Sequence, residues 1–234
     1  TRVYQKVDKK KRVKNVKIPR HGLERGASSA IMKETDRRET PMSRNFFAIL
    51  SRMKYITRWA LMRNTRQENL CEHTQDVAVL AHGLAVLQNR RFGGNVDAGR
   101  CVLLALYHDA PEIFTGDLPT PVKYYNPAIR DAYRQVEDVS ANKLLSMLPE
   151  DLRPVYEPLL SPGEEEQEIL HLVKAADKIS ALIKCIEEKS MGNAEFCQAE
   201  LALREAVSRL RCPEADCFLN EFLPSYSLTL DEQE

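Results

Sequence analysis

The chain has no apolar run approaching the roughly 20 residues that a membrane-spanning helix needs, which excludes an integral helical membrane protein. Only 9 glycines and 12 prolines in 234 residues exclude a collagen-like chain, and 43% hydrophobic with 29% charged residues is an ordinary globular balance that excludes coiled-coil and low-complexity classes. No segment alternates convincingly between apolar and polar residues and no segment repeats, so no strand is expected. The six cysteines (Cys71, Cys101, Cys185, Cys197, Cys212 and Cys217) include no pair at metal-ligand spacing. Nothing reads as a secretory signal, so they are expected to be reduced thiols of a cytoplasmic protein. Net charge is missing too, with 34 Lys/Arg against 34 Asp/Glu.

That zero conceals a split. Residues 1–41 hold 13 Lys/Arg and 5 Asp/Glu, a net of +8, and the remainder carries −8. An acidic remainder argues against a general nucleic-acid-binding surface on the folded part. The first 41 residues have almost no apolar periodicity, and Lys9, Lys10, Lys11, Arg12, Lys14 and Lys17 form a basic run. Such a segment buries too little apolar surface to offset the entropy of ordering it. It is expected to be a disordered tail or a non-native leader, ahead of a domain at 42–234. A nucleic-acid arm is the alternative for it.

From Met42 onward the periodicity is helical and predicts an all-α domain. A short helix follows Ser43 as N-cap, and 55–70 reads as a loop carrying Arg58, Trp59, Arg63 and Arg66. Helices are expected at 72–88, after Asp97, and at 127–147, 164–189, 193–211 and 216–222. Pro119 and Pro121 predict an extended loop, and Pro149, Pro154, Pro158 and Pro162 a broken connection.

Four polar residues interrupt this apolar pattern. His108–Asp109 ends an apolar helix, where both groups are costly to bury without partners. His73 shares the face of Val77, Leu80 and Leu84, and Asp177 is in step with Leu170, Val173 and Ala181. Each alone suits a structural role. Together, two imidazoles and two carboxylates without thiolate predict one borderline or hard divalent ion, such as manganese, cobalt, iron, zinc or magnesium. His82 is expected to pack within its helix, His171 lies off the face of Asp177, and His21 is in the tail. Glu112 lies one turn past the pair, placed to handle a proton or to orient a ligand. Arg58 suits phosphate binding and Trp59 offers a flat apolar wall.

The order His73, His108–Asp109, Asp177 resembles the HD-domain superfamily of metal-dependent phosphohydrolases. The strings RWALMRNTRQENLCEHT, LALYHDAPEIFTGDLPTPVKYYN and LVKAADKISALIKCIEE are similar to the bacterial 5′-deoxynucleotidases within it, from about Met42 to Asp231. The resemblance implies a helical HD-domain bundle, a homodimer and hydrolysis of deoxyribonucleoside 5′-monophosphates with rejection of ribonucleotides. It implies metal ligation by His73, His108, Asp109 and Asp177, and catalysis by Glu112 with Asp117. Substrate would be bound by Arg58, Trp59, Asp117, Leu118, Pro119 and Thr120, together with His73, Asp109 and Asp177. Three alternatives stay open: a phosphohydrolase of deoxynucleoside triphosphates or signalling nucleotides, a nucleic-acid-binding module with a degenerate core, and a metal that only staples the fold.

Overall fold

Two long helices frame the molecule. Helix α2 (Leu70–Arg91) starts at Asn69, whose side chain accepts from the Cys71 and Glu72 N–H groups while Glu72 accepts from the Asn69 N–H. Arg90 and Arg91 close it, where cations favour the negative end of the helix dipole. Helix α8 (Gln167–Ser190) packs against α2, and α3 (Ala98–Tyr107) packs against both. Asp97 caps α3 as expected, accepting from the Arg100 N–H. Val77, Leu80, Leu84, Cys101, Leu104, Leu172, Val173 and Ile179 fill the space between the three helices. Each large side chain buried there contributes about 1.5–3 kcal/mol.

A smaller apolar cluster, with Phe46, Ala110, Leu144, Leu145, Leu148 and Leu160, joins α1 (Phe46–Leu50), α6 (Pro127–Ser146) and α7 (Arg153–Leu160). The remaining helices are α4 (Glu112–Thr115), α5 (Thr120–Lys123), α9 (Cys197–Leu210) and α10 (Pro213–Glu221). The computed structural model describes residues 44–123 and 125–233, so the basic stretch 1–41 and the Ser43 cap lie outside them. Among the described residues there is no strand, only an isolated bridge between Thr57 and Asn69. No helix there is long and apolar enough to cross a membrane.

Several local expectations are corrected. The proline-rich connection contains a helix, α7. Its Pro154 sits in the first turn, where no N–H is missed, and Pro158 follows one turn later, so only the first-turn carbonyl loses a donor. Burial of Leu159 and Leu160 favours the helix. The Pro119–Pro121 stretch is extended only to Pro119, whose carbonyl accepts from the Val122 and Lys123 N–H groups and opens α5. The first helix has Asn45 at its cap, without a side-chain bond. The 164–189 and 193–211 segments each begin with a 3-10 turn, Glu164–Glu166 and Ala194–Phe196. His82 is exposed rather than packed, because α2 turns that side to solvent.

Candidate active site

The site lies where α2, the end of α3, α4 and α8 converge with the 56–69 loop. His73 is in the first turn of α2 and fully buried. Its Nδ1 pairs with Ser180 Oγ of α8 at 3.1 Å, which leaves Nε2 facing Asp177 Oδ1 at 3.2 Å and Asp109 Oδ2 at 3.6 Å. His108 follows the last residue of α3. Its Nδ1–H donates to the Ala105 carbonyl at 2.6 Å, which turns Nε2 toward Asp109 Oδ2 at 3.1 Å.

Donor atoms of His73, His108 and Asp109 all lie within 4.8 Å of one another. Asp177 reaches this group through His73 and does not join that mutual set. Among the described residues, buried side-chain atoms without a hydrogen-bond partner include His73 Nε2, His108 Nε2 and Glu112 Oε2, three at one place. Buried polar atoms are ordinarily paired. Two imidazole lone pairs converging with a carboxylate fit a divalent cation.

Among the protein's own charges the carboxylates favour a proton on His108, which a bound cation would displace. Burial works against charging His108, but the neighbouring Asp109 outweighs it and lifts the imidazole to about 9. Burial likewise opposes ionisation of Asp109, and His108 overcomes that, holding the carboxyl near about 2. Asp177, also opposed by burial, is held below the usual carboxylate range by His73. Glu112 goes the other way: burial, then Asp109, push it to about 8. Its Oε1 lies 3.5 Å from Lys123 Nζ, and that ammonium also pairs with Glu137 at 2.8 Å.

Arg58 borders the group with a side chain only 10% exposed. Burial opposes its charge, but Asp117, Asp109 and Glu68 more than compensate and hold it protonated. Its Nη1 lies 3.7 Å from Asp109 and 3.9 Å from Asp117. Asp117 gets there because Gly116 adopts φ 72°, ψ 165°, a conformation essentially closed to residues with a Cβ. Burial raises the Asp117 carboxyl despite Arg58. Trp59 has φ 57°, unusual for a bulky residue, and its ring packs 5.4 Å from Phe196. Leu118 and Pro119 continue the link from Asp117 to α5, and the side chain expected to act at Thr120 lies outside what is described.

Sequence reasoning missed four participants. Glu68 bonds Arg58 and Trp59, Ser180 holds His73, Lys123 pairs with Glu112, and Glu188 anchors the loop through Thr65 and Arg66. Ser180 follows Asp177 by three residues, on the same helix face, which was the one available signal.

Helical fold and site together define the class: the architecture is that of HD-domain phosphohydrolases. An HD-domain phosphohydrolase from Listeria innocua superposes with a TM-score of 0.69 at 24% identity, covering 81% of this chain and 91% of its own. A cyanophage S-2L HD phosphohydrolase, solved with dA and one catalytic Zn2+ ion, gives 0.55 at 20% identity over 76% and 96%. Residues 45–226 match the YfbR-like 5′-deoxynucleotidase family. A 5′-deoxynucleotidase of Erwinia tasmaniensis is 49% identical over 188 residues, 80% of this chain and 95% of the relative. One from Yersinia pestis is 50% identical over the same shares. The chain belongs to the YfbR-like 5′-deoxynucleotidase family.

Proposed function

We propose that residues 42–234 form a catalytic domain that hydrolyses deoxyribonucleoside 5′-monophosphates to deoxynucleoside and phosphate, and rejects ribonucleotides. The observation that carries this reading is the convergence of donor atoms from His73, His108 and Asp109 within 4.8 Å of one another, beside a buried arginine. His73, His108, Asp109 and Asp177 would hold one divalent cation. When bound, that cation supplies Lewis acidity toward a phosphoryl oxygen and toward water.

The protein's own groups do the rest. Arg58 binds the phosphate and balances charge on its equatorial oxygens. Glu112, which holds a proton, gives it to the departing 5′-oxygen as the P–O bond breaks, and Asp117 accepts one from the attacking water. A Glu112 raised to about 8 among the protein's own charges suits a residue that holds a proton at neutral pH. Trp59 packs against the sugar and leaves no room for a 2′-hydroxyl, and the Asp117–Thr120 segment closes the pocket beside it.

Among the described residues, five carboxylates (Glu68, Asp109, Glu112, Asp117 and Asp177) meet Arg58, Lys123 and the imidazoles of His73 and His108. That balance favours a dianionic monophosphate with a cation over a triphosphate. The donor set, without thiolate, supports cobalt, manganese or another borderline ion. Exposed Ile129, Val136 and Val139 share one face of α6 and support a homodimer, and six free cysteines support a cytoplasmic location. The test is phosphate release from deoxy and ribo monophosphates of one base, and from the deoxy triphosphate, with metal content measured on the same sample. Equal turnover of both sugars refutes the selectivity, and preference for the triphosphate refutes the substrate class.

A further inference from the structure

We infer that Glu68 is a positioning residue that sets Arg58 and Trp59 together, coupling phosphate grip to sugar discrimination through one carboxylate. The inference rests on the reading of Arg58 and Trp59 as substrate residues. Glu68 is the residue before the α2 cap, and its side chain is 11% exposed. Its two oxygens are divided. Oε1 accepts from Arg58 Nε at 3.1 Å and Oε2 accepts from Trp59 Nε1 at 3.2 Å. The backbone brings the three residues together: the Arg58 N–H donates to the Glu68 carbonyl at 3.0 Å and the Leu70 N–H to the Ile56 carbonyl at 2.8 Å. The two arms of the loop are thereby pinned to the start of the long helix.

Each bond removes a freedom that matters for recognition. Bonding Arg58 through Nε aims the terminal nitrogens at the Asp109 and Asp117 side of the site. Bonding the single N–H of Trp59 fixes the plane of its ring, on a backbone that is already in the strained left-handed region. Arg58 and Trp59 are neighbours in sequence, so one carboxylate facing both makes their orientations interdependent. His73 Nδ1 is 3.5 Å from Glu68 Oε1, but the closer Ser180 Oγ at 3.1 Å holds that ring. Loss of the Glu68 charge is therefore expected to disturb substrate geometry and to leave metal binding intact.

The test is Glu68→Gln, which keeps the shape. Whichever way the amide turns, its NH2 group faces a donor, Arg58 Nε or Trp59 Nε1, so only one bond survives. Expected are a roughly tenfold to hundredfold fall in kcat/KM for a deoxynucleoside monophosphate, the usual scale for a lost charged hydrogen bond, and a deoxy-to-ribo ratio moved toward one. Trp59 is the sole tryptophan of the chain, so its fluorescence emission reports which bond survives: it shifts when Trp59 loses its acceptor and stays when Arg58 does. Metal content is expected to match wild type. In an Arg58→Ala background the further loss should shrink below about twofold, because no guanidinium remains to be aimed.

Unchanged emission together with an unchanged kcat/KM and sugar ratio overturns the inference. So do fully additive losses in the Arg58→Ala background, or loss of metal, which would place the effect at His73. If Arg58→Ala and Trp59→Ala themselves leave kcat/KM and the sugar ratio untouched, the underlying reading fails and this inference falls with it. If they lower both and Glu68→Gln does not, the inference alone is refuted.

Discussion

Replacing Glu188 by alanine tests how the fold holds the loop before α2. This carboxylate is 1% exposed and accepts from the Thr65 N–H and Oγ1–H, both at 2.8 Å, the Arg66 N–H at 3.2 Å and Asn193 Nδ2 at 2.8 Å. It also pairs with Lys184 one turn earlier on α8. Alanine leaves a buried ammonium and several buried N–H groups without their acceptor. Removing one member of a buried pair costs about 3–5 kcal/mol. Lys184 keeps the Arg66 carbonyl and water can reach Thr65, so the lower end applies, about 3 kcal/mol. At about 2–4 °C per kcal/mol for a chain of this size, Tm should fall by about 6–12 °C.

The pH dependence follows from the same contacts. Burial would raise the Glu188 carboxyl, but Lys184, Thr65 and Asn193 overcome it and hold the group near about 2. A carboxylate depressed in the folded state stabilises above its unfolded pKa, and that stability is lost as pH falls through the folded one. The gap between wild type and Glu188→Ala should therefore be full at pH 7 and close between pH 4.5 and about 2. Urea unfolding across that range measures it. A gap under about 1 kcal/mol at pH 7, the size of an ordinary exposed pair, would refute the reasoning, as would a gap that stays constant into acid.

Three further outcomes are expected. His108→Ala should lose the bound ion, measured as metal per chain after gel filtration; full occupancy would remove His108 from the ligand set. Glu112→Gln should keep fold and metal while kcat falls by about 10²–10⁴-fold, the usual scale for acid–base catalysis, and undiminished turnover would leave Glu112 a bystander. Trp59→Ala should relax the preference for deoxy over ribo substrates more than it weakens phosphate binding, whereas Arg58→Ala should impair both sugars. A sugar preference surviving Trp59→Ala places the wall elsewhere.

Amino-acid order alone determined the helices and the polar residues that interrupt their apolar faces. A 3.6-residue period is a local property, so Val77, Leu80 and Leu84 mark one buried face of α2, and His73 on that face stands out without any knowledge of its partners. The same logic exposes His108–Asp109 and Asp177. It does not reach α7, where four prolines read as breaks although Pro154 falls where a helix needs no donor. Nor does it reach Glu68, Ser180, Lys123 or Glu188. These are ordinary polar residues on loops and helices, and a hydrogen bond leaves no periodic trace. Ser180 meets His73 across 107 residues, and Glu188 meets Thr65 across 123. Only the packing of α8 against α2, with the loop laid across both, decides which carboxylate faces which donor. Periodicity sets which side of a helix is buried, and tertiary packing sets what that side touches.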